Sequence, residues 1–207
     1  MASQVGICNR ALTKLGDKRI TALDEDSKAA AVLNSMYDDV LDACLREHVW
    51  SFAKTRAQLA ALADAPLFGF GYQYRLPANF IRLIQIGQFL VYPKTDTRGL
   101  FSIEDGNILT DLPAPLYIRY VKRVTDPNAM DALFREAFAC RLAVEACESL
   151  TQSSTKRQAA WAEHDRAITE AIRVNAIELP SQPIGDDTWL ESRNGVPYLA
   201  ETPIIRQ

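Results

Sequence analysis

The spacing of apolar positions changes along the chain, and each change marks a different kind of element. Val5, Cys8, Leu12 and Leu15 recur at helical spacing, and Gly16 follows where a left-handed residue would close a short first helix. The acidic turn Asp24-Glu25-Asp26-Ser27 offers N-capping side chains. Behind it Leu33, Met36, Tyr37, Val40, Leu41, Cys44 and Leu45 form a stripe at i, i+3, i+4 and i+7, which predicts a second, longer helix. Trp50 and Phe52 lie just beyond as candidate core anchors, and the alanine- and leucine-rich run from Ala53 to Ala63 reads as a third helix.

From Asp64 the texture differs. Pro66, Gly69, Gly71, Pro77, Pro93, Gly99, Gly106, Pro113 and Pro115 cut the chain into pieces too short for helices. Between the breaks the period becomes two. Tyr72, Tyr74 and Leu76 point one way, Phe80 to Ile86 is rich in β-branched residues, and Leu116, Ile118 and Tyr120 alternate against Tyr117, Arg119 and Val121. The pattern predicts a largely antiparallel sheet of four or five strands across residues 70–124, inserted between helices.

Asp126-Pro127 has the form of an N-cap followed by proline in the first turn, so a helical region is expected to begin there. Leu133, Phe134, Ala137, Phe138, Cys140, Leu142, Val144 and Cys147 make this segment apolar around much of its circumference, as suits a central helix covered on several sides. After Ser153-Ser154 a charged helix is expected from Thr155 to Ile177, carrying Trp161, Ile168 and Ile172. The expected fold is therefore mainly α. It is a helical bundle over residues 1–63 and 125–178, with a small β-rich insert at 64–124 and an extended C-terminal arm at 179–207.

The arm holds Pro180, Pro183, Pro197 and Pro203, which forbid a continuous helix, yet it is too apolar for a solvated linker. Trp189, Leu190, Arg193, Tyr198, Ile204 and Ile205 are the candidate partner-binding residues, spaced by prolines that lower the entropy lost on docking. An arm folded back over its own domain is the competing explanation.

At 207 residues and 48% hydrophobic, the chain can bury a core without disulfides or metal. A formal charge of −3 and a pI near 5.5 argue against a protein whose task is to grip nucleic acid. Cys8, Cys44, Cys140 and Cys147 stand far apart with no C-x-x-C pair, so buried reduced thiols are expected. The opening Met1-Ala2-Ser3-Gln4 lacks a signal peptide's basic run, and no stretch approaches the ~20 apolar residues that span a bilayer, so synthesis in the cytoplasm is expected.

Candidate chemistry is sparse. His48 and His164 have no ligand partner at helical spacing, and no nucleophile motif is present. Gly69-Phe70-Gly71-Tyr72 begins like a dinucleotide fingerprint but leads into a strand, so it reads as a turn. Carboxylates cluster at Asp24-Glu25-Asp26, at Asp38-Asp39 with Asp42, at Glu104-Asp105 and at Asp186-Asp187, and a carboxylate pair suffices for a cell-wall hydrolase. Capping, solvent exposure and a hairpin turn beside Gly106 explain the first three without catalysis.

The order of features resembles the head-to-tail adaptor family of short-tailed bacteriophages, often called tail tubular protein A. The residues that carry it are Cys8-Asn9-Arg10-Ala11-Leu12 with Leu15-Gly16, then Ile20-Thr21-Ala22-Leu23-Asp24 and Trp50-Ser51-Phe52-Ala53. They continue with Tyr72-Gln73-Tyr74-Arg75-Leu76-Pro77 and Phe80-Ile81-Arg82-Leu83, so the likeness spans the first 180 or so residues in layout. The resemblance implies a structural virion protein at the head-tail junction, with no catalytic residues, cofactor or metal. It further implies a ring of twelve copies between the portal protein and the tail nozzle protein, through which double-stranded DNA passes without sequence-specific binding. An acidic channel wall would suit that role, since it repels phosphates. A head-completion protein of a long-tailed phage is the alternative.

Overall fold

The computed structural model describes residues 1–91 and 99–178. Their secondary structure is about 46% helix and 20% strand, a mixed α and β architecture, which corrects the expectation of a mainly α fold. Among the described residues four helices form one layer: α1 (Gln4–Leu15), α2 (Lys28–Glu47), α3 (Ala132–Thr151) and α4 (Ser154–Ile177). Among the described residues seven strands form two antiparallel sheets, one packed on the helices and the other packed on the first sheet. They are β1 (Lys54–Leu59), β2 (Tyr72–Arg75), β3 (Phe80–Ile86), β4 (Phe89–Leu90), β5 (Phe101–Glu104), β6 (Asn107–Thr110) and β7 (Leu116–Lys122).

The helices begin and end where side chains satisfy their free backbone groups. The hydroxyls of Ser3, Ser27 and Ser153 accept from Gly6, Ala30 and Lys156 N–H, and Gly16 closes α1 with φ 70°. Asp131, not Asp126, caps α3 by accepting from Leu133 and Phe134 N–H. Asp126 and Pro127 instead form a turn in which the Asp126 carboxylate accepts from Asn128, so the proline precedes the helix without entering it. As expected of a central helix, α3 packs against α1, α2 and α4.

The largest correction concerns the run after Trp50. A single 3-10 turn, Ser51–Ala53, leads into β1, where a third helix was expected. The reason is tertiary: β1 pairs along its whole length with β7, Lys54 opposite Val121 through Leu59 opposite Leu116. Alanine has no side chain with which to advertise period two, and ladder pairing overrides its helix propensity. The β-rich region thus starts at Lys54. Nor is there one sheet: β1-β7-β3-β4 and β2-β6-β5 are separate.

Two cores result. The first joins the helices, where Phe134 lies between Trp50 (ring centroids 5.0 Å apart) and Phe52 (4.9 Å), and Tyr37 meets Phe138 edge-on at 5.1 Å. Trp50, an expected anchor, is buried and donates its indole N–H to Cys44 O at 2.9 Å. The second core lies between the sheets: Tyr74 and Ile108 meet Leu83, Ile86, Leu116, Ile118 and Tyr120. The strands β3 and β7 serve both, since Ile84 and Val121 belong to the helical core while Leu83 and Ile118 belong to the other.

Candidate functional site

The predicted partner-binding residues, Trp189, Leu190, Arg193, Tyr198, Ile204 and Ile205, lie outside the described residues, as does Asp186-Asp187. The remaining candidates are fixed by their surroundings. All four cysteines are buried and unbridged, and burial pushes the Cys8 and Cys44 thiols up to about 12. Glu25 accepts from the backbone N–H and hydroxyl of Thr21, which holds its carboxyl down at about 2. Asp38 and Asp42 both bind Arg123, at 3.0 and 2.6 Å. Asp105 and Gly106, with φ 45° and 69°, make the hairpin turn between β5 and β6.

The histidines have different settings. His48 shares a hydrogen bond with Asn175 at 3.1 Å, and burial, reinforced by the nearby Arg82 charge, lowers its pKa. His164 is buried in α4, edge-on to Trp161, with its Nδ1 3.6 Å from the Asp165 carboxylate.

Glu136, Cys140 and Glu163 bring ligand-type atoms within 4.8 Å of one another. A cation already stands among them. The Lys14 ammonium lies 2.6 Å from Glu136 and 2.5 Å from Glu163, while Arg10 takes the other Glu136 oxygen at 2.6 Å. Burial alone would lower the Lys14 pKa, but its hydrogen bonds to the two carboxylates outweigh burial and raise it. The group does what an ion would do here, tying α1, α3 and α4 together, so these donors fit a structural clamp and not a metal centre.

One surface is less self-sufficient. Helices cover the β1-β7-β3 sheet at the end marked by Val121 and Ile84, whereas at its other end Arg56, Gln58 and Tyr117 are exposed. There Arg56 stands directly opposite Arg119, Gln58 opposite Tyr117, and Gln85 opposite Arg119 on the far side. They surround a shallow hollow of about 360 Å³, with Gly87 at its edge. Ala57 and Ile118 contribute only backbone, because their side chains point into the second core. Lys54 continues the face, its pKa lowered by burial and then by the Arg119 charge. The site is hidden in the sequence because the alanine-rich 53–63 run suits a helix. The one local signal, Lys54, Arg56 and Gln58 alternating with Thr55, Ala57 and Leu59, is too weak to outweigh the alanines around it.

No described helix is long and apolar enough to cross a membrane. Neither a comparison with protein-family models nor one with curated proteins finds a match for this chain.

Proposed function

We propose that this protein is a structural virion component, a ring-forming head-to-tail adaptor that joins the portal of a short-tailed phage to its tail nozzle and forms part of the DNA channel. The observation that carries the reading is where the family-like segments fall. Cys8, Leu12 and Leu15 pack α1 into the helical core and Gly16 ends it, Trp50 pins the joint from α2 to β1, and Tyr74 and Leu83 anchor the second core. These segments carry the likeness at the joints of the architecture, which is where a shared scaffold constrains sequence. Among the described candidate carboxylates, Glu25, Asp38, Asp42 and Asp105 are engaged in turns and ion pairs.

The test is electron microscopy and co-sedimentation of the full chain with purified portal rings. The free chain should sediment as a monomer or weak oligomer and close into rings on the portal. Truncation after Glu178 should leave a folded core that no longer joins, and Trp189→Ala should weaken joining by at least about tenfold. Failure of the full chain to join any portal, or release of soluble fragments from peptidoglycan, would overturn the reading.

A further inference from the structure

We propose that the polar end of the four-stranded sheet binds the phosphate backbone of double-stranded DNA, with Arg56 and Arg119 gripping it across the β1–β7 pair. The choice of duplex DNA rests on the adaptor reading; the site itself rests on its own geometry. Directly opposed residues of an antiparallel pair hold their Cβ atoms about 5 Å apart, and like charges so placed repel. Arg56 and Arg119 are such a pair. Among the described residues neither forms an ion pair, and the buried Nε of Arg119 has no hydrogen-bond partner. Among the described residues no internal counter-charge meets this repulsion, and an anion from outside would relieve it.

The lining says what kind. Among the described residues the polar side chains around the hollow are Arg56, Gln58, Gln85, Tyr117 and Arg119, which are all hydrogen-bond donors, with no carboxylate among them. That is the set through which proteins hold phosphate and sugar without reading bases. An acidic protein partner would also satisfy the charge, but a stable protein interface centres on a buried apolar patch, and here Ala57 and Ile118 face away and leave the exposed Tyr117 ring alone in the lining. The chain's net charge of −3 does not oppose this locally. Residues 54–124 hold nine Lys and Arg against five Asp and Glu, a net of +4. At physiological salt, exposed charges beyond ~8 Å are largely screened.

The experiment is fluorescence anisotropy of a labelled duplex of about 20 base pairs with the full chain, titrated from about 50 to about 200 mM salt. Binding should weaken steeply with salt. Arg56→Gln combined with Arg119→Gln should weaken it at least about tenfold at low salt and reduce the salt slope by about 2. Arg75→Gln with Arg166→Gln, which removes equal charge elsewhere, should leave it within about twofold. A thermal melt guards against misfolding: relief of the Arg56–Arg119 repulsion should leave the melting temperature unchanged or raised.

No salt-dependent binding by the parent chain overturns the proposal. So do equal losses in the two double variants, or a lowered melting temperature accompanying the loss at the sheet. Portal co-sedimentation in parallel separates this site from the adaptor reading. DNA binding with no portal joining by the parent chain sinks the adaptor and leaves the site standing. Should the Arg56 and Arg119 variant keep its DNA binding but lose joining, the face docks an acidic protein surface and the DNA proposal falls.

Discussion

The helical layer and the β-rich region are built on opposite economies of side chain and charge. The central helix α3 buries Ala137, Ala139, Ala143, Ala146, Cys140 and Cys147, small residues that let its three neighbours approach closely, alongside the large rings of Phe134 and Phe138. The second core uses Tyr74, Ile86, Ile108, Leu116 and Tyr120 between two thin sheets. Outward, the two regions differ more. Leu62, Leu67, Phe68, Tyr72, Phe89, Ile103 and Tyr117 are exposed on the β-rich region, whereas the helices α1 to α4 expose only Trp161 and Ile177 among large hydrophobics. Positive charge is also concentrated there, against fourteen Lys and Arg and twenty-one Asp and Glu in the rest of the chain. The helical layer is a finished scaffold; the β-rich region carries the exposed apolar and cationic surface that marks contact with something else.

The sharpest way to break this comparison is to damage one core and watch the other. Phe134→Ala should cost about 4 kcal/mol, because its ring is fully buried between Trp50, Phe52 and Phe138. Ile108→Ala should cost about 3 kcal/mol, from a fully buried side chain at the centre of the second core. Urea unfolding followed by far-ultraviolet circular dichroism and by tryptophan fluorescence measures both. Since β3 and β7 place residues in each core, each variant should unfold in one transition with coincident probes. Two separated transitions would make the regions independent domains.

The same contrast decides what was legible in the sequence. Helices α1 and α2 announce themselves through stripes, serine caps and Gly16, all local features. The all-round apolar character of α3 correctly marked it as central. Strand β1 was illegible because its partner β7 lies far along the chain, and Ala57, Ala60 and Ala61 suit a helix until that partner arrives. The split into two sheets was hidden for the same reason: β2 chooses β6 over its sequence neighbour β3. The start of α3 was misplaced because Asp126-Pro127 and Asp131 both satisfy the capping pattern, and only packing selects between them. The Arg56–Arg119 pair exists only once β1 and β7 align, so no local motif encodes it.

A smaller effect is expected at the Lys14 clamp. Lys14→Met should cost about 1 to 2 kcal/mol at neutral pH, below the cost of breaking a fully buried pair because Glu163 is nearly half exposed. The clamp also gives the helical layer an acid sensitivity. Burial alone would raise the Glu136 carboxyl, but hydrogen bonds from Lys14 and Arg10 hold it below its ordinary value of 4.5. A depressed carboxyl stabilises the fold fully above that ordinary value, and the contribution disappears as pH falls through the folded-state value. Stability measured from pH 7 downward should therefore drop below about 4.5, and drop less in Lys14→Met than in the parent chain.

The smallest effect tests how the two regions are held to one another. Beyond the shared strands, the polar ties from α2 to the sheet are Arg46, which donates to Ile81 O at 2.7 Å, and Arg123 at the end of β7, which binds Asp38 and Asp42. Arg123 is a third exposed and Asp38 is more than two-thirds exposed, so water and salt already screen the contact. Asp42→Asn should cost less than about 1 kcal/mol, and a double-mutant cycle with Arg123→Gln should give a coupling near 0.5 kcal/mol. That coupling should shrink further at high salt. A value above about 1.5 kcal/mol would mean that ion pairing, and not the apolar seam of Ile81, Ile84 and Val121, fixes the sheet on the helices. The cationic sheet end would then owe its position to an electrostatic latch, and DNA binding there would fall in Asp42→Asn; with the seam in control, Asp42→Asn leaves it intact.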